Sequence, residues 1–195
     1  MWLRVLAIFV ACILIGACGQ EKPKVSFQSV DITGAAIGGP LVLTGHDGKT
    51  HRLEDYRGKV VVLFFGFTHC PEVCPTTLYE LSNTMKQLGA AAEHVQVLFV
   101  SVDPERDDVA TLARYVPAFD KRFVGLTGSP EQIKSVADSF KIVYQKVNGK
   151  DPKNYSVDHS AGSYILDREG KIRLFVNYGS GSSVFTHDIA ELLRS

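Results

Sequence analysis

The chain has little of several things that would settle its class at once. It carries only four cysteines in 195 residues, too few for a small secreted scaffold held by disulfides. It has no surplus of charge. Lys plus Arg and Asp plus Glu both number 21, so no broad positive field awaits nucleic acid. It has no internal repeat and no low-complexity tract, which argues against solenoids and disordered arrays. Its N-terminal apolar run, Val5 to Ile15, is too short for a comfortable membrane span. What remains is globular, 45% hydrophobic and 22% charged, with length for one ordinary domain and a little more.

The first segment reads as an address. Arg4 precedes the apolar run, and the run ends in Ile15-Gly16-Ala17-Cys18. Small residues just before a cysteine resemble the bacterial lipoprotein cleavage box. The pattern predicts a signal peptide over residues 1–17, with Cys18 as the lipid-bearing N-terminus on a bacterial envelope membrane. An uncleaved anchor helix is the alternative, and it also puts the rest of the chain outside the cytoplasm. Cys12 lies inside the removed segment, so Cys70 and Cys74 are the remaining thiols. They sit in a compartment where a disulfide can persist. A bridge between them closes a loop too small to be an effective staple. Residues 18–38 are polar and Gly-containing and read mostly as a tether. Residues 39–195 form the folded domain.

Two near-continuous apolar runs dominate that domain. Val60 to Phe67 reads VVVLFFGF and Val95 to Val102 reads VQVLFVSV. Such β-branched and aromatic runs suit central strands covered on both faces. A hairpin is expected over Leu41–Leu53 around Asp47-Gly48, and another over Tyr164–Val176 around Asp167–Gly170. Leu78, Leu81, Met85 and Leu88 recur at helical spacing within Pro75–Leu88. Further helices are expected over Asp108–Phe119, from Ser129-Pro130 to about Phe140, and over Phe185–Leu193. A short strand is expected at Phe123–Leu126. The order predicts one α/β domain with a central mixed sheet.

Thr68-His69-Cys70-Pro71-Glu72-Val73-Cys74-Pro75 follows a buried strand and precedes a helix. Loops at the carboxyl ends of sheet strands are where α/β proteins place sites. Cysteines at i and i+4 reach one face if the segment turns helically, and a helix N-terminus favours thiolate. Two thiolates make a half-site for a soft metal or a redox dithiol. A closed metal site needs further ligands, which only histidines and carboxylates remain to provide. Of the six histidines, His46 and His51 flank the first hairpin turn and are expected to be solvated. The direction of the His69 side chain is open, His94 follows a helix, and His187 lies in the last helix. His159 stands in a polar break before a strand, where functional residues concentrate.

The stretches FFGFTHCPEVCPTTL, VSVDPERD and YSVDHSAGSYILDREGKI resemble the Sco/SenC family of membrane-anchored copper proteins, and the likeness runs from roughly Pro40 to Ser195. It implies a thioredoxin-like domain with helices flanking the sheet. It also implies copper, as Cu(I), Cu(II) or both, bound by Cys70, Cys74 and His159. Asp103 matches an acid of the family close to the site, and Asp158 is expected to hold the His159 tautomer. The implied function is delivery of copper to the dinuclear centre of cytochrome c oxidase during assembly. The implied partners are the oxidase's copper-binding subunit, a copper donor and the membrane. Many relatives have a full transmembrane anchor where this chain has a lipoprotein signal.

Three other readings use the same cysteines. One is a thiol-disulfide reductase acting on the oxidase subunit's own copper-ligand cysteines, which does not need His159. Another is a redox or copper sensor. The last is a peroxiredoxin-like peroxidase with Cys74 as nucleophile, against which Pro71 stands where that family expects Thr or Ser.

Overall fold

The computed structural model describes residues 25–147 and 155–195. The expected signal peptide and Cys18 lie outside the described residues. Among the described residues, no helix is long and apolar enough to cross a membrane.

In chain order the strands are β1 Val30–Asp31, β2 Val42–Gly45, β3 Thr50–Arg52, β4 Val60–Gly66, β5 Val95–Ser101, β6 Val124–Thr127, β7 Tyr144–Val147, β8 Ser156–His159, β9 Ser163–Leu166 and β10 Ile172–Val176. The helices are α1 Val73–Leu88, α2 Val109–Tyr115, α3 Pro130–Ser139 and α4 Ser182–Arg194. Eight strands form one sheet in the order β1-β10-β9-β4-β5-β6-β2-β3, and β7 and β8 form a separate two-stranded ribbon. The expected apolar runs, β4 and β5, lie adjacent at its centre. They pair in parallel from Val60 opposite Val95 to Gly66 opposite Ser101, and every residue of both is buried. Burying each large apolar side chain contributes about 1.5–3 kcal/mol, so this strand pair anchors the core. Parallel pairing needs a crossover, which α1 provides. The site loop is therefore held between the centre of the sheet and a sixteen-residue helix.

Two helix starts follow their sequence signals. Ser129 caps α3 in a reciprocal box with Gln132, with Pro130 in the first turn. Asp108 accepts from the Thr111 N–H at the start of α2. Helix α1 begins two residues earlier than expected, at Val73, which brings Cys74 inside its first turn.

The supposed tether departs from expectation within its described part. Val30–Asp31 extends the sheet beyond β10. Just before it, the fully buried Asp188 of α4 accepts from the Gln28 N–H and from both the N–H and hydroxyl of Ser29. A two-residue strand is too short to announce itself by alternation. The domain therefore begins near Gln28 rather than at residue 39.

Candidate metal centre

Strand β4 ends at Gly66, and the chain turns through Phe67–Glu72 into α1. The turn is tight because the Cys70 N–H reaches back to the Phe67 carbonyl. The Cys74 N–H then points at the Cys70 sulfur, 3.4 Å away. Cys70 is partly exposed, and Cys74 is buried. Gly66 makes room for the inner sulfur, since a Cβ there would come within 2.7 Å of Cys74 Sγ and 2.9 Å of the Phe99 ring.

The third donor arrives from the β7–β8 ribbon. His159 ends β8, and its Nε2 lies 3.5 Å from Cys74 Sγ. The two sulfurs and one imidazole nitrogen all fall within 4.8 Å of one another. His159 Nδ1 lies 2.9 Å from the Ser160 carbonyl. A carbonyl only accepts, so that bond puts the proton on Nδ1 and leaves the Nε2 lone pair facing the sulfurs. The ring also stands edge-on to Phe67 and Phe64, with centroids 5.7 and 6.4 Å away.

The two sulfurs are not electrostatically equivalent. The Cys74 thiol donates to Cys70, and the Cys74 and Glu72 N–H groups also face that sulfur. Against the cost of burial they hold Cys70 down to about 4. The same shared hydrogen, together with burial, pushes Cys74 well above the ordinary thiol range. The metal-free pair is therefore one thiolate and one thiol sharing a proton. Charge is concentrated on the more accessible sulfur.

The remaining residues sort themselves by geometry. His69 is exposed and reaches only Thr68, and the exposed His94 lies outside the cluster. His46 and His51 are not simply solvated as expected. His46 Nδ1 accepts the Gly125 N–H, and His51 lies between Asp47 and Tyr56. His187 lies against Asp188. Asp158 does not hold the His159 ring, because the tautomer is set by the Ser160 carbonyl. Successive residues of a strand face opposite sides, so Val157 is buried while Asp158 is exposed. Asp103 is near but indirect: it accepts from Arg106 and from the Tyr155 hydroxyl at 2.7 Å.

Asp107 was not singled out in the sequence, and it holds the cysteine loop directly. Fully buried, it accepts from the Thr68 N–H at 2.9 Å, the Thr68 hydroxyl at 2.6 Å and the Ser101 hydroxyl at 2.7 Å. Nothing in the local sequence separates it from the other acids of Asp103–Asp108.

A shallow cavity of about 300 Å³ opens beside Cys70 and His159, lined also by Phe67, Val73 and Ala161. A larger groove of about 820 Å³, near Gly34, Phe140 and Asp167, has neither thiol nor imidazole in its lining. It offers nothing to a soft metal.

Comparison with known proteins places this arrangement. The SCO1/SenC family pattern matches residues 30–194. A mitochondrial SCO2 homolog of Bos taurus is 45% identical over 164 residues, 83% of this chain and 60% of that protein. The chain thus spans about 60% of the length of this relative. The structure of Bradyrhizobium japonicum ScoI with copper bound is 40% identical, with a TM-score of 0.74 over 82% of this chain and 99% of that one. BsSco is described as a member of the Sco family of cytochrome c oxidase assembly proteins with a disulfide switch. It is 25% identical, with a TM-score of 0.66 over 85% of this chain and 98% of that one. The fold is thioredoxin-like, as expected. Matched from residue 30 to residue 194, the chain belongs to the SCO1/SenC family.

Proposed function

We propose that this chain binds one copper ion through Cys70, Cys74 and His159 and delivers it to the dinuclear copper centre of cytochrome c oxidase during assembly. The observation that carries this reading is the approach of His159 to Cys74 across 85 positions of sequence. Two sulfurs and an imidazole form a soft set suited to Cu(I), and adaptable to Cu(II) with one more ligand. Three protein donors hold a metal less completely than a closed four-ligand cage. The shallow opening beside Cys70 gives a partner's ligands access to cargo held there. The copper-bound relative and the relative named for oxidase assembly support the same reading.

The test is copper titration of the fully reduced protein beside its His159→Ala variant. The expected result is one copper per chain, with a sulfur-to-copper charge-transfer band weakened or lost in the variant. An unchanged affinity and spectrum in His159→Ala would remove the histidine from the site.

A second reading has an observation of its own. A thiolate at Cys70 beside a thiol at Cys74 is also the resting form of a dithiol reductase. That activity would depend on both cysteines and be indifferent to His159, so the same variant separates the two readings.

We further propose that Cys18 carries lipid and that the preceding residues are removed, anchoring the domain on the outer face of a bacterial membrane. Mass spectrometry of membrane-extracted protein is expected to find a diacylglyceryl group on Cys18. An intact Met1 would refute the assignment.

A further inference from the structure

The three donors come from two arms that are far apart in sequence, the β4–α1 loop and the β7–β8 ribbon. The ribbon is not part of the main sheet, so ladder bonds to the core do not hold His159 in place. On its C-terminal side the arm rejoins the core at Ser163, where β9 pairs with β4; on its N-terminal side it is held at Tyr155.

The loop between β5 and α2 touches both arms. On one side, Asp107 binds Thr68 and fixes the cysteine loop. On the other, the neighbouring Arg106 reaches the ribbon. Its guanidinium carbon lies 3.6 Å from the centroid of the Tyr155 ring, and its Nη1 donates to the Tyr155 carbonyl at 2.9 Å. Its Nε donates to Asp103, and the same Asp103 accepts the Tyr155 hydroxyl on its other oxygen. Tyr155 is buried and immediately precedes β8. Arg106 also lies 5.8 Å from the centroid of Phe67, the ring that stands edge-on to His159.

Each link has the strength its chemistry allows. The Arg106–Asp103 pair is charge-assisted and mostly buried. A planar guanidinium stacks on an aromatic face while its N–H groups bond in the plane, which an ammonium cannot do. Four positions downstream of Tyr155, His159 inherits this placement through a short strand.

We propose that Arg106, with Tyr155 and Asp103, is a clasp that positions the His159 arm against the cysteine pair, so that histidine coordination of copper depends on Arg106 although Arg106 is not a ligand. The proposal rests on copper binding by Cys70, Cys74 and His159.

The test uses the full chain in detergent, reduced and loaded with Cu(II), as wild type, His159→Ala, Arg106→Met and Arg106→Lys. Methionine keeps most of the apolar stem. Lysine keeps a cation beside Asp103 but loses the stacking and the fork. Electron paramagnetic resonance reads imidazole nitrogen coupling, and titration reads affinity. The wild type is expected to show nitrogen coupling that His159→Ala lacks. Arg106→Met is expected to lose that coupling and to bind Cu(II) about 10- to 100-fold more weakly, as changes outside the ligand shell typically do. Its cysteines should still oxidise to a disulfide, and its circular dichroism should match the wild type. Arg106→Lys should fall on the same side. Nitrogen coupling and affinity at wild-type level in Arg106→Met would overturn the clasp. If that variant does not fold, Arg106→Lys decides by the same criterion. A wild type already lacking His159-dependent coupling would instead defeat the three-ligand reading, and the clasp with it.

Discussion

Oxidising Cys70 and Cys74 to a disulfide is expected to abolish tight copper binding, and Cys70→Ser or Cys74→Ser to do the same. The two sulfurs are two of three proposed donors, and a disulfide removes both as anionic ligands in one step. A serine hydroxyl is neutral and hard, a poor ligand for Cu(I). Restoring the thiols by reduction should restore binding.

Proton release on copper loading is a signature specific to this pair. Cys70 is already ionised at neutral pH, held down to about 4 by its hydrogen-bond donors. Cys74 is still protonated, because its pKa is raised. Loading copper onto two thiolates therefore releases one proton, from Cys74. Between pH 7 and 8 the Cu(I) affinity should rise about tenfold, whereas two ordinary thiols would give a rise approaching about a hundredfold. Isothermal titration in buffers of different ionisation enthalpy counts the protons directly. Tight binding by the oxidised protein would place the copper elsewhere.

Asp107→Ala is the second change with a large expected effect. The carboxylate is fully buried and satisfies three donors on the cysteine loop and β5. Removing it leaves the Ser101 hydroxyl and the Thr68 N–H without their acceptor, while the Thr68 hydroxyl keeps only His69 Nδ1 in reach at 3.1 Å. The expected loss is about 3–5 kcal/mol of stability, since hydrogen bonds to charged groups contribute about 1.5–3 kcal/mol each and are not additive. Asp107→Asn should cost less, since one carbonyl oxygen remains to accept. Urea unfolding of the reduced protein measures both. A loss below about 1 kcal/mol for Asp107→Ala would mean that solvent reaches those donors.

The core was the legible part of the sequence. Val60–Gly66 and Val95–Ser101 could hardly be anything but central strands, because seven consecutive residues of this kind tolerate exposure on neither face. The cysteine pair was legible for a similar reason, since a soft donor pair at a strand-to-helix junction has few structural uses. The β7–β8 ribbon was not legible. Tyr144–Val147 is largely exposed and Ser156–His159 is short, so in sequence His159 has the look of a polar break rather than a strand end. The same holds for Asp158, which as a loop neighbour could face His159 but as a strand neighbour points away. Asp107 and Arg106 were hidden for another reason. Their roles are partnerships with Thr68 and Tyr155, 39 and 49 positions away, and no local pattern encodes such distances.

Copper K-edge X-ray absorption of the reduced protein carrying one Cu(I) tests the central claim most directly. Two sulfur neighbours and one imidazole nitrogen are expected, with the nitrogen lost in His159→Ala and one sulfur lost from the weakly held copper of Cys74→Ser. A first shell without sulfur, or one unchanged by both substitutions, would contradict the assignment of Cys70, Cys74 and His159 as the copper site.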